Sequence, residues 1–115
     1  NHEEWLSLYQ TSNLDAALAE AAKACGLIVC TQSGEAVKII HQGKRYEVAV
    51  TPVTPVDATG AGDQFAAGFL GGMAMDVGIV RAGEMGVAAA AEVIAQIGPR
   101  SNRSLRKVFA DQNLI

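Results

Sequence analysis

The 115-residue chain has a net charge of −3 and a pI near 5.2, with its basic residues scattered apart from a group at Arg100, Arg103, Arg106 and Lys107. That balance excludes a general nucleic-acid binder, which needs clustered Lys and Arg. Half of the residues are hydrophobic and 18% are charged, a globular rather than a disordered composition. No apolar run reaches the length of a membrane span, and the most apolar stretch, Val87 to Ile97, is broken by Glu92 and Gln96.

In chain order, Asn1 to Tyr9 reads as a short helical turn. Asn13 suits the cap of a helix that carries Leu14, Ala17, Leu18, Ala21 and Ala22 on one face, with Gly26 just beyond its end. Leu27 to Thr31 is a continuous apolar run, the pattern of a strand buried on both faces. Ser33-Gly34 is a turn into a second strand, Ala36 to Ile40, and Gln42-Gly43-Lys44 is a turn into a third, Arg45 to Val50, whose alternation predicts half burial. Pro52 and Pro55 mark an extended crossing segment.

The stretch Val56 to Asp63 then opens a helix expected to run through about Met75, with Phe65, Phe69 and Met73 on one face and Ala66 and Leu70 beside it. Gly68, Gly71 and Gly72 each disfavour a helix interior by roughly 1 kcal/mol relative to Ala. They imply either close backbone packing or an early end near Gly71. A second helix, Ile79 to Ile97, is stopped by Gly98-Pro99, and Ser104 or Asn102 caps a last one bearing Leu105, Val108 and Phe109. Cys25 and Cys30 form no C-x-x-C pair and are read as reduced, buried thiols of a cytoplasmic protein. His2 and His41 are expected to be exposed.

The sharpest chemical signal is Gly60-Ala61-Gly62-Asp63 at a helix start. First-turn N–H groups lack internal partners, and the helix dipole adds partial positive charge there. Glycines let a phosphate approach the backbone closely, which makes an anion hole for a phosphoryl group in transfer. A carboxylate at Asp63 stands where it can take the proton of an attacking hydroxyl, and phosphoryl transfer asks for positioning above all. The bland alternative is a glycine turn followed by an acid that the dipole favours. A dinucleotide fingerprint fails because Phe65 stands where its third Gly belongs, and a P-loop fails for want of a following Lys-Ser/Thr pair.

Asp57-Ala58-Thr59-Gly60-Ala61-Gly62-Asp63, followed by Phe65-Ala66-Ala67-Gly68-Phe69, closely resembles the C-terminal signature of the PfkB/ribokinase family of kinases. The resemblance implies a catalytic base at Asp63 and an anion hole at Gly60, Ala61 and Gly62. The family usually has Thr where Ala58 stands. Asn1-His2-Glu3-Glu4 fits an N-x-x-E motif, implying that Asn1 and Glu4 organise Mg2+ and phosphate, while the direct protein ligands of the metal stay unknown. Thr31-Gln32-Ser33-Gly34-Glu35-Ala36 falls where the family has a T-x-G-x-x-G nucleotide loop, with Ser33 and Ala36 replacing both glycines. ATP contacts are thereby implied for Thr31, Ser33, Gly34 and, beside the adenine pocket, Gly98. Asp57 and Thr59 correspond to residues that help hold K+ in several members; the alternative for Asp57 is a local Asx turn.

The expected architecture is α/β, the C-terminal portion only of a ribokinase-like three-layer α/β/α fold. Residues 1–115 would form the nucleotide-binding and catalytic portion, beginning inside a longer protein whose N-terminal portion and lid lie outside the chain. The implied activity is ATP-dependent phosphorylation of a hydroxymethyl group on a sugar or nucleoside, with bacterial adenosine kinases and sugar kinases the most similar members. The implied partners are that small molecule and a second copy in a homodimer, with neither nucleic acid nor membrane. The competing readings are an inactive nucleotide-binding regulatory module of the same fold and a purely structural α/β domain.

Overall fold

A computed structural model describes residues 1–115. The elements run α1 (His2–Leu8), α2 (Leu14–Ala24), β1 (Leu27–Gln32), β2 (Glu35–His41), β3 (Lys44–Val48), α3 (Ala61–Ala74), α4 (Ile79–Ile94) and α5 (Leu105–Asp111). They fall into two compact units, Asn1–Val50 and Thr51–Ile115.

In the first unit the three strands form one antiparallel sheet in the order β1-β2-β3. Ile28 lies opposite Ile40, and Ile39 opposite Tyr46. Leu18 and Ala21 of α2 pack with Ile28, Cys30 and Ile40, and Trp5, Tyr9 and Leu14 close the margin. Trp5 stacks on Tyr9 at 6.2 Å between centroids and donates its indole N–H to the Val29 carbonyl at 3.4 Å. Asn13 caps α2 as expected, its side chain accepting from the Ala16 N–H at 3.1 Å.

Several expectations are corrected in this unit. β1 is not uniformly buried; Ile28 and Cys30 are buried while their neighbours are half-buried, because antiparallel pairing gives the strand two different faces. Cys25 is exposed, and only Cys30 is a buried thiol. Burial pushes the Cys30 thiol above its ordinary pKa, against a smaller opposing influence of Lys38. His2 and His41 are half-buried rather than exposed.

In the second unit α3 and α4 form an antiparallel pair whose spacing is set by glycine. A methyl on Gly68 would lie 2.5 Å from the Met85 carbonyl oxygen, and one on Gly72 would lie 2.7 Å from Ala82 Cα. From the other side, Gly86 accepts the edge of the Phe65 ring at 2.8 Å from where its own methyl would stand. The helix therefore runs through Gly71 to Ala74, and close packing, not an early stop, explains Gly68 and Gly72. Gly71 faces no atom of the chain within 4 Å. Phe65 and Phe69 are buried and stacked at 6.1 Å, while Ala66 and Leu70 are exposed and Met73 is half-buried. Val108 and Phe109 of α5 complete a core with Met85, Ala88 and Ala89. Arg103 bridges Glu92 at 3.4 Å and Asp111 at 2.7 Å, an exposed network contributing about 0–1 kcal/mol per pair.

The helix ends depart from the glycine pattern. α4 stops at Ile94, three residues before the expected Ile97, and Gly26 is not the left-handed terminator of α2, whose cap residue Cys25 is extended. Instead α1, α3 and α5 end on Gln10, Asp76 and Asn113, each at a positive φ of 48–56°. The N–H groups of Thr11, Val77 and Leu114 close these turns onto the carbonyls of Leu6, Gly72 and Phe109.

Three stability results are expected from denaturation of the intact protein. Gly68→Ala destabilises it by about 1–3 kcal/mol through overpacking, while Gly71→Ala raises stability by up to about 1 kcal/mol. Equal effects of the two would contradict the packing assignment. Asp76→Gly relieves a left-handed residue and stabilises by up to about 1 kcal/mol; a destabilised variant would show that its side chain matters more than its φ.

Candidate active site

The chain between β3 and α3 has no regular structure until it reaches Asp57. There the backbone turns, because the Asp57 carboxylate gathers three donors. Oδ1 accepts the Thr59 N–H at 2.9 Å and the Thr59 hydroxyl at 2.6 Å, and Oδ2 accepts the Gly98 N–H at 2.9 Å, 41 residues away. The Asx turn is thus formed, and the same carboxylate ties it to the loop after α4. The Val56 and Asp57 N–H groups both donate to the Ile94 carbonyl, at 2.8 and 3.2 Å, which anchors the segment to the end of that helix.

Gly60 comes next and is demanded by the fold. Its φ of +80° is left-handed, and a methyl there would stand 2.7 Å from Pro99 Cβ. Gly60 opens α3, and its carbonyl accepts the Gln64 N–H at 2.9 Å. Among the first-turn amides, Ala61 is already committed to the Ala58 carbonyl at 3.2 Å. The N–H groups of Gly60, Gly62 and Asp63 have no partner in the chain. Gly62 has an ordinary helical φ, and a methyl on it would meet nothing within 4 Å. Nothing in the chain's own packing requires glycine there. Asp63 sits beside it, exposed, with no hydrogen bond to its carboxylate.

The structure therefore brings together Asp57, Thr59, Gly60, Ala61, Gly62, Asp63 and Gly98 in the second unit. The other residues singled out from the sequence lie in the first unit. Asn1 and Glu4 form a capping box on α1, with the Asn1 side chain accepting the Glu4 N–H at 3.1 Å and the Glu4 carboxylate accepting from the Asn1 backbone nitrogen. Thr31 lies in β1, where the ladder register shifts between Cys30 and Gln32. Ser33 and Gly34 form the β1–β2 turn, and Ser33, not Gly34, takes the positive φ of 55°.

Sequence reasoning missed two residues. Gln64 donates its side-chain amide to the Pro99 carbonyl at 3.2 Å, and Gln96 orders the same loop by accepting the Asn102 N–H at 2.9 Å and donating to the Arg100 carbonyl. No local pattern announces a bond spanning 35 positions.

The three donors, first the Thr59 hydroxyl, then the Gly98 and Thr59 amides, pull the Asp57 carboxyl from its ordinary 3.8 down to about 2. A depressed carboxylate pKa stabilises the fold above the unfolded value and loses that contribution as pH falls through the folded one. The stability difference between wild type and Asp57→Asn should be constant above about pH 4 and close between about pH 4 and 2. A difference that does not change over that range would remove the ionised clamp.

The chain matches the model of the pfkB family carbohydrate kinases over residues 1–105. It is 40% identical to a probable sugar kinase from Rhizobium etli CFN 42, with a TM-score of 0.96 over 100% of this chain and 35% of that one. It is 38% identical to the adenosine kinase of Sinorhizobium meliloti, with a TM-score of 0.93 over 98% of this chain and 35% of that one. Among curated relatives, an inositol 3-kinase of Oryza sativa subsp. japonica is 30% identical over 79 residues, 69% of this chain and 20% of that protein. The chain spans about a third of the length of these solved structures and a fifth of that relative. The fold is ribokinase-like, and the chain belongs to the PfkB family of carbohydrate kinases.

Proposed function

We propose that the chain is the nucleotide-binding and catalytic portion of an ATP-dependent kinase that phosphorylates a hydroxymethyl group of a sugar or nucleoside. The observation that carries this reading is Gly62. It is a glycine that its own fold does not need, with free amides at Gly60, Gly62 and Asp63 and an unpaired carboxylate beside them. Free N–H groups at a helix N-terminus suit an anion that must approach the backbone closely. The similarity to an adenosine kinase and a probable sugar kinase supports the choice of acceptor class.

In this reading the γ-phosphoryl group of ATP lies over the start of α3. Asp63 accepts the proton of the acceptor hydroxyl as that oxygen bonds to phosphorus; the bond from phosphorus to the bridging oxygen of ADP breaks, and ADP leaves with the electron pair. The amides of Gly62 and Asp63 hold the charge on the equatorial oxygens as it develops. Thr31, Ser33, Gly34 and Gly98 contribute to the ATP site. Asn1 and Glu4 organise Mg2+ through water; the Glu4 carboxylate is largely exposed, which suits that role. Magnesium, when bound, offsets phosphate charge. K+ is proposed at Asp57 and Thr59, where Oδ2 of Asp57 accepts a single hydrogen bond and retains a free lone pair.

The test is ADP production by the intact protein with MgATP across a panel of nucleosides and sugars. Asp63→Asn should fold normally, bind ATP and lose turnover by about 10²–10⁴-fold. Gly62→Ala should keep or raise the melting temperature, since Ala favours a helix and nothing opposes its methyl, while turnover falls. Wild-type turnover in Asp63→Asn would end the reading; ATP binding without turnover on any acceptor would favour the regulatory module.

A further inference from the structure

We propose that Gln64 is a positioning residue for this phosphoryl transfer, acting through Pro99 on the turn that presents the free amides and Asp63. The inference rests on the reading of the site given above.

Gln64 follows the proposed base directly and lies one helical turn beyond Gly60, so its side chain rises on the same face as that glycine. Its Nε2 donates to the Pro99 carbonyl at 3.2 Å. Pro99 in turn fills the space that a side chain on Gly60 would take, with its Cβ 2.7 Å from that position and its Cα 2.9 Å. Pro99 is thereby seated against Gly60 and held from α3. Asp57 holds the adjoining Gly98 amide at 2.9 Å, so the loop is fixed at two successive residues by two different side chains. The left-handed φ of Gly60 sets the direction in which α3 starts, and with it the aim of the Gly62 and Asp63 amides. Releasing Pro99 removes one of the contacts packed against Gly60, beside the Asp57–Thr59 turn and the bond of the Ala61 amide to Ala58. Gln64 donates while Asp57 accepts, so neither can stand in for the other.

Gln64→Met keeps the length and the neutral charge and removes the side-chain amide, and with it the donor to Pro99. In the intact protein its kcat should fall about tenfold, because small misplacements of a reacting group are costly in rate. The KM for the acceptor should stay within about twofold and the melting temperature should fall by no more than a few degrees, while amide exchange at Ala61 and Gln64, the hydrogen-bonded amides of the turn, should speed up several-fold. Wild-type kcat in Gln64→Met overturns the proposal, as does a loss of rate that only tracks a loss of folded protein. Asp63→Asn run beside it separates the failures. Turnover that survives there removes the reading of the site and this inference with it. Turnover that vanishes there while Gln64→Met stays at the wild-type rate removes this inference alone.

Discussion

The close approach of α3 to α4 is the constraint from which the site follows. Gly68 and Gly72 on one helix and Gly86 on the other leave no room for a methyl group, so the two backbones lie nearly in contact. Antiparallel helices packed this tightly place the end of one beside the start of the other. Ile94, Gly98 and Pro99 are therefore within hydrogen-bond reach of the segment that leads into α3. The Ile94 carbonyl takes the Val56 and Asp57 amides, Asp57 takes the Gly98 amide, and Gln64 reaches the Pro99 carbonyl. Each bond is modest, about 0.5–1.5 kcal/mol net for a neutral pair and more for the charged Asp57. Their combined effect is geometric. They hold a left-handed residue and the first free amides of a helix in one orientation.

Glycine does two kinds of work in this turn. Gly60 answers to the chain itself, through a positive φ and the seat of Pro99. Gly62 answers to nothing in the chain, since its φ is ordinary and the space beside it is clear. Gly71 is as little needed by the chain, but Gly62 alone of the two lies among free first-turn amides, which is why a ligand is proposed there. The commitment of the Ala61 amide to Ala58 refines the expected anion hole, directing the free donors to Gly60, Gly62 and Asp63.

Much of the fold was legible because its signals are local. Asn13 caps α2 as its side chain predicts, the alternation of Tyr46 and Val48 marks β3, and the Phe65/Phe69 spacing marks the buried face of α3. The helix ends were less legible, because glycine was expected to terminate them. Gln10, Asp76 and Asn113 take the left-handed positions instead, while Gly98 serves a loop four residues beyond the end of its helix. The both-faces burial expected of β1 failed because an apolar run carries no information about which strand will pair with it. Of the candidate site, the glycine turn at the start of α3 could be read directly, with Asp63 beside it. The partners that hold them, Gln64 with Pro99 and Asp57 with Gly98, are separated by 35 and 41 positions and emerge only once α3 and α4 are packed.

The central claim is that nucleotide phosphate lies on the free amides at the start of α3, and amide chemical shifts of the intact protein during titration with MgATP test it most directly. The account predicts that the Gly62 and Asp63 amides shift strongly on saturation, while Ala61, whose N–H is already held by the Ala58 carbonyl, moves much less. Saturating nucleotide that leaves Gly62 and Asp63 unmoved would contradict it.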